Sequence, residues 1–250
     1  MQSGCYFFTK LEEQRCFMKR QIKIFGYFTV GEVVLWGLSQ LFILLSFFLF
    51  DGKEYLTLAS SLLGTTSLIF CAKGNPIGQL LMLIFSAFYG FISWGFAYYG
   101  EMITYLGMTA PMAAFSLVAW LKNPYKGNKA EVKVARLSAK EIVFAFLLTG
   151  LITFAFYFIL QAFDTANLLP STLSVSTSFL AVYLTFRRSP YYALAYAAND
   201  IVLIALWLLA VLEDIGYLSV LVCFVVFLVN DLYGFFNWLR MRKAQEKTEE

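Results

Sequence analysis

Along this chain, long apolar runs alternate with short polar breaks at a spacing that suits a bilayer better than a soluble core. A spanning helix needs roughly 20 mainly apolar residues. Eight stretches qualify: Gly31–Phe50, Tyr55–Ala72, Pro76–Tyr99, Met102–Trp120, Glu141–Phe163, Pro170–Phe186, Pro190–Leu212 and Gly216–Leu239. The first could instead lie in the interface, but its basic N-terminal flank and acidic C-terminal flank favour spanning.

The polar positions also repeat. Leu58–Pro76 is rich in Ser and Thr and ends Lys-Gly-Asn-Pro; Thr172–Pro190 is likewise rich and ends Arg-Arg-Ser-Pro. Trp94 lies 18 residues beyond the first proline and Trp207 17 beyond the second. Phe115-Ser-Leu-Val-Ala-Trp120-Leu matches Tyr233-Gly-Phe-Phe-Asn-Trp238-Leu. Two three-helix repeats running the same way require one helix between them to restore direction. The pattern therefore predicts an all-α integral membrane protein of about eight helices, one N-terminal helix followed by two parallel repeats around a linker helix (3+1+3). The boundaries are a segment at 1–30, the extra helix at 31–50, repeat one at 55–120, a basic loop at 121–140, the linker helix at 141–163, repeat two at 170–239 and a tail at 240–250. Parallel repeats about an axis along the membrane normal place a transported solute between them.

Composition agrees. Of 250 residues, 60% are hydrophobic and 14% charged, with a mean hydropathy of +0.70, against roughly 45–50% and about 25% in soluble domains. Charge then sets the sides. With the N-terminus cytoplasmic, 18 of the 19 basic residues fall inside, and the outer breaks hold Asp51, Glu54, Glu101, Asp164, Glu213 and Asp214 with only Lys53. Both termini are thus expected in the cytoplasm of a cell whose plasma membrane the chain crosses. The first 28 residues carry no signal-peptide pattern.

Several classes are excluded. The basic residues sit in short tracts, which is no nucleic-acid signature. Four scattered cysteines (Cys5, Cys16, Cys71, Cys223) without CxxC pairing, and no histidine, argue against a metal site, a disulfide and an enzyme. No cofactor is expected.

No Lys or Arg lies at mid-membrane, but two carboxylates do lie within spans, Asp200 and Asp231, each preceded by an asparagine, Asn199 and Asn230. A carboxylate at such depth is costly and marks function by default. On the same helical face as Asp200 lie Trp207, Tyr196 and Tyr192. Asn230, Gly234 and Asn237 form a stripe on the last helix; Gln79, Ser86 and Ser93 recur on the third, with Tyr89 and Gly90 between. Amide, carboxylate and aromatic groups together suit a flat, polar, cationic ring. The expected site is Asn199, Asp200, Trp207, Tyr196, Asn230, Asp231, Gln79, Trp94, Tyr89 and Ser86. The Ser174, Ser178 and Thr185 stripe is expected to be a packing seam. Trp120 and Trp238 are expected as interfacial anchors, and Pro111 to kink the fourth helix.

The 3+1+3 plan, Tyr89-Gly90-Phe91, Tyr233-Gly234-Phe235, Asn199-Asp200 and the terminal Tyr233-Gly-Phe-Phe-Asn-Trp238 resemble the PnuC family over about residues 30–240. These are bacterial inner-membrane transporters of nicotinamide riboside, similar in fold to SWEET sugar transporters. The resemblance implies facilitated diffusion of that vitamin, with thiamine or another vitamin as alternative cargo and proton- or sodium-coupled uptake as the alternative mechanism. It matches Trp94 and Trp207 to the family's site tryptophans and Asn230 or Asp231 to its second-repeat asparagine, while repeat one offers only Met112, Ala113 and Ala114 at that level. A homo-oligomer, as a trimer, is a further expectation.

Overall fold

The computed structural model describes residues 23–24, 26–95, 99–165 and 167–249; the N-terminal segment up to residue 22, with Cys5 and Cys16, lies outside the described residues. Contacts divide the chain into two compact units at Leu38. In the first, strands β1 (Lys23–Ile24) and β2 (Phe28–Thr29) form a small antiparallel hairpin. Thr29 and Glu32 then cap the first helix reciprocally, Thr29 N–H donating to the Glu32 carboxylate at 2.7 Å and Glu32 N–H to Thr29 Oγ1 at 3.2 Å.

Among the described residues, eight helices are long and apolar enough to cross a membrane: α1 (Val30–Asp51), α2 (Tyr55–Ala72), α3 (Pro76–Gly95), α4 (Tyr99–Lys122), α5 (Ala139–Ala162), α6 (Leu168–Phe186), α7 (Tyr191–Glu213) and α8 (Leu218–Glu249). Several of their hydroxyls are satisfied locally, as suits a lipid environment: Thr65, Ser86, Thr149 and Thr185 each donate to the carbonyl four residues back. Consecutive helices pack, α2 on α3, α3 on α4, α6 on α7 and α7 on α8, and α8 packs on α2 while α4 packs on α6. The third helix of each group thus lies against the first helix of the other.

The two proline turns match in three bonds and differ in one. After α2, Gly74 donates to Cys71 O, Asn75 to Phe70 O and Gly78 to Asn75 O; after α6, Arg188 donates to Thr185 O, Ser189 to Leu184 O and Tyr192 to Ser189 O, while Lys73 donates three residues back to Phe70 O and Arg187 four back to Tyr183 O. Gly74 and Arg188 both take left-handed φ, 67° and 57°. Gly78 has a second reason to be glycine, since a Cβ there would lie 2.6 Å from Cys71 N, so α3 leaves the turn pressed against α2.

The structure departs from expectation in four places. The 121–140 loop holds a hairpin, β3 (Pro124–Tyr125) and β4 (Asn128–Val132), turned at Lys126 and Gly127 with both φ positive. It docks on both proline turns: Val132 N–H donates to Gly74 O and Ala135 N–H to Arg188 O. Ser138 and Glu141 form a capping box, so α5 starts at Ala139. α8 runs on to Glu249, held by Gln245, whose Oε1 accepts from Val134 N and whose Nε2 donates to Val132 O. Glu101 lies in the first turn of α4 rather than in an outer loop. In that helix a π turn at Tyr105–Thr109, closed by Ala110 N–H to Tyr105 O, comes just before Pro111, which has no N–H to donate.

Candidate functional site

The ends of the bundle differ. Asp51, Glu54, Glu101, Asp164, Glu213 and Asp214 gather at one end, and the proline turns and the basic hairpin at the other. At the basic end Trp120 and Trp238 are completely buried, their rings 5.3 Å apart. Trp120 Nε1 donates to Thr185 O at 2.9 Å and Trp238 Nε1 to Cys71 O at 2.8 Å. Each indole from a third helix therefore clips the last turn of the other group's first helix. Tyr192 meets the Trp238 ring edge-on, centroids 5.0 Å apart. Burial rules out the interfacial anchoring expected for these tryptophans, because belt residues face the headgroups and these meet only protein.

Above them the two mid-span carboxyl groups meet. Asp200 of α7 and Asp231 of α8 are close neighbours, and both are buried. Two ionised carboxylates side by side repel each other, and a cation beside them relieves that repulsion. Asp200 Oδ2 is buried with no partner. Tyr196 neighbours both carboxyl groups and Thr185. On the acidic side, Tyr105 neighbours Asp200, its ring 4.4 Å from that of Tyr89, whose hydroxyl donates to Glu101 Oε2 at 2.7 Å. A column of phenols and carboxyl groups thus links the middle of the bundle to its acidic end.

Trp207 stands at the top of this column, buried against Tyr217 with ring centroids 5.6 Å apart. Two cavities flank it. One of about 150 Å³ is lined by Asp51, Glu54, Thr57, Tyr89, Ser93 and Asp214. The other, of about 210 Å³, is lined by Glu101, Asp164, Ser171 and Glu213. Both mouths are acidic, a field that draws in cations.

Residues 54–240 match the family model described as nicotinamide mononucleotide transporter. The chain belongs to this family. Among relatives, it is 27% identical over 226 residues to the nicotinamide riboside transporter PnuC of Neisseria mucosa, covering 88% of this chain and 85% of that protein. It is 24% identical over 191 residues to the PnuC of Haemophilus influenzae, covering 76% and 81%. A crystal structure of the vitamin B3 transporter PnuC superposes with a TM-score of 0.77 at 24% identity, over 88% of this chain and 95% of that one, which establishes a shared fold.

In this member of the nicotinamide mononucleotide transporter family the expected site residues divide. Asp200, Asp231, Tyr196, Tyr89 and Trp207 lie along the column. Trp94 does not: it is 57% exposed and packs on Phe91. Counted equally from Pro76 and Pro190, the counterpart of Trp207 is Ser93, and that of Trp94 is Leu208, also outward. Matching the tryptophans one residue out of step turned the face by about 100°. Gln79 is buried lower down, its Nε2 donating to Cys71 Sγ at 3.2 Å, and Cys71 in turn neighbours Asp231. Ser86 is buried and bonds its own helix. Asn230 Nδ2 is tied to Ser39 Oγ of α1 at 2.9 Å and to Val226 O at 2.8 Å. Asn199 Oδ1 accepts from Ser174, Thr177 and Ser178 at 3.2, 2.8 and 3.0 Å. Ser174 and Ser178 are therefore more than a packing seam; they orient the amide beside Asp200. Sequence reasoning missed Tyr105 and Glu101. Their one signal was spacing, a carboxylate and a phenol four residues apart on one helical face.

Proposed function

We propose that this chain carries nicotinamide riboside across the bacterial inner membrane by facilitated diffusion, with both termini in the cytoplasm. The relatives' names supply the substrate, and the Asp200–Asp231 pair is the observation that carries the reading. A pyridinium nucleoside has one fixed positive charge and a flat ring; the pair offers carboxyl groups beside the phenol rings of Tyr105 and Tyr196. On this reading residues 55–120 and 170–239 are two copies of one three-helix unit. The substrate enters between them past the acidic mouths, and the Trp120–Trp238 contact closes the cytoplasmic side. The 18 basic residues on the sides assigned to the cytoplasm support the orientation.

Thiamine, whose thiazolium is also a flat cation, is the second reading, because charge and stacking alone do not choose between such rings. Uptake into liposomes of the purified protein tests both, with nicotinamide riboside, its uncharged dihydro form, thiamine and nicotinamide offered separately. The riboside is expected to enter fastest and the neutral forms poorly. Preference for thiamine moves the assignment to the second reading; equal uptake of the dihydro form removes the role given to the carboxyl pair.

A further inference from the structure

At the basic end two cavities run into one another. The first, about 750 Å³, is an apolar cleft lined by α5, α6 and α7, with Phe146, Leu180, Leu184 and Leu194 on its walls. Phe146 and Leu194 are exposed, so the cleft opens where lipid chains lie. The second, about 650 Å³, is polar and is lined by Lys133, Arg136, Arg188 and Arg242 with Glu246 as the sole carboxylate. The two share Ala135, Arg136, Arg242 and Glu246. Glu246 is divided between Arg136 at 2.9 Å and Arg242 at 3.9 Å, which leaves a net positive rim. Partial burial, and then the like charge of Arg187, lower the pKa of Arg188, so a nearby anion would relieve it.

We propose that this double cavity binds an anionic phospholipid of the leaflet at the basic end, its phosphate on Arg136, Arg188 and Arg242 and one acyl chain along the cleft. The occupant follows from the shape of the charge. A free phosphate has nothing to place in the apolar half. A zwitterionic headgroup brings its own cation against four others. Basic pockets between helices at the cytoplasmic face are suited to anionic headgroups. The site lies apart from the Asp200–Asp231 column and stands whether or not the substrate reading does.

The test is thermal unfolding and native mass spectrometry of the full chain in neutral detergent, with phosphatidylglycerol, phosphatidylcholine or inorganic phosphate added. Phosphatidylglycerol alone is expected to remain bound and to raise the unfolding temperature. Replacing Arg136 and Arg242 together with Gln should weaken its binding roughly thirtyfold, at about fivefold per charge. Ala198→Trp, which fills the cleft and leaves every charge in place, should also displace it. Equal effects of phosphatidylcholine or inorganic phosphate overturn the proposal, as does undiminished binding in both variants. Crosslinking between copies through Cys at Phe146 and Leu194 would give the cleft to a second chain and overturn it too.

Discussion

Three hydroxyls from α6 converge on one oxygen of Asn199, so removing that oxygen leaves two buried donors, Ser174 and Ser178, to find other partners, while the half-buried Thr177 turns to the carbonyls of Leu173 and Ser174. Asn199→Ala is expected to lower stability by about 1–3 kcal/mol, whereas Ser178→Ala, which removes one donor of three, should cost about 1 kcal/mol or less. Unfolding of the two variants in one detergent checks the order; a larger loss from Ser178→Ala would contradict it. Trp207 makes a second pair with Trp94. Ring stacking is worth about 0.5–1.5 kcal/mol, so Trp207→Ala should weaken riboside binding at least three- to tenfold by calorimetry. Trp94→Ala should leave it within about twofold, since that ring faces outward. Equal losses would return Trp94 to the site. Asp200 and Asp231 stood out in the sequence because a carboxylate at mid-span is costly to place. Their meeting was not legible there, since periodicity gives the face of each helix and not the rotation of one helix against another. Trp94 was misplaced for a related reason: two tryptophans near the same depth invite pairing, and one residue of slip exposes the wrong one.

At the scale of elements, short polar breaks and apolar length located all eight helices, because lipid leaves the backbone few other choices. The β3–β4 hairpin escaped notice because its strands are short and polar, although Lys126-Gly127 supplies the residues a tight turn prefers. The extension of α8 escaped because its last turns are charged; what holds them is Gln245 on that hairpin, a contact between distant segments. The indole clips yield a prediction that depends on their equivalence. Trp120→Phe and Trp238→Phe each keep an aromatic ring but remove one N–H···O bond, to Thr185 O and to Cys71 O, together with part of a fully buried indole. Each should lower stability by about 2–4 kcal/mol, bond and cavity together, read as unfolding temperature in detergent. If the two elements are equivalent the losses match; a cost at one tryptophan and none at the other would show that only one group is clipped.

At the scale of the whole molecule, orientation and energetics are joined, since a cation entering from the acidic end crosses the full membrane potential. In a background without Cys5 and Cys16, cysteines placed at Asp51, Asp164 and Glu213 should react with an impermeant reagent added outside cells. One at Lys126, in the exposed turn of the hairpin, should not; labelling there would invert the protein. Given that orientation, a facilitator of a monocation equilibrates its substrate at zero potential and accumulates it when the inside is negative. The driving term is about 2.3 kcal/mol per 100 mV, a limit of roughly fiftyfold at that potential. A carrier that returned a proton on Asp200 or Asp231 for each cation would be electrically silent and would follow the pH gradient instead. Liposomes clamped with a potassium diffusion potential separate the two. Riboside should concentrate inside in proportion to the imposed potential and ignore a pH step of either sign, and a neutral nucleoside should ignore both. Accumulation that follows the pH step at zero potential would mean that the carboxyl pair exchanges a proton for the vitamin, and facilitated diffusion would have to be given up.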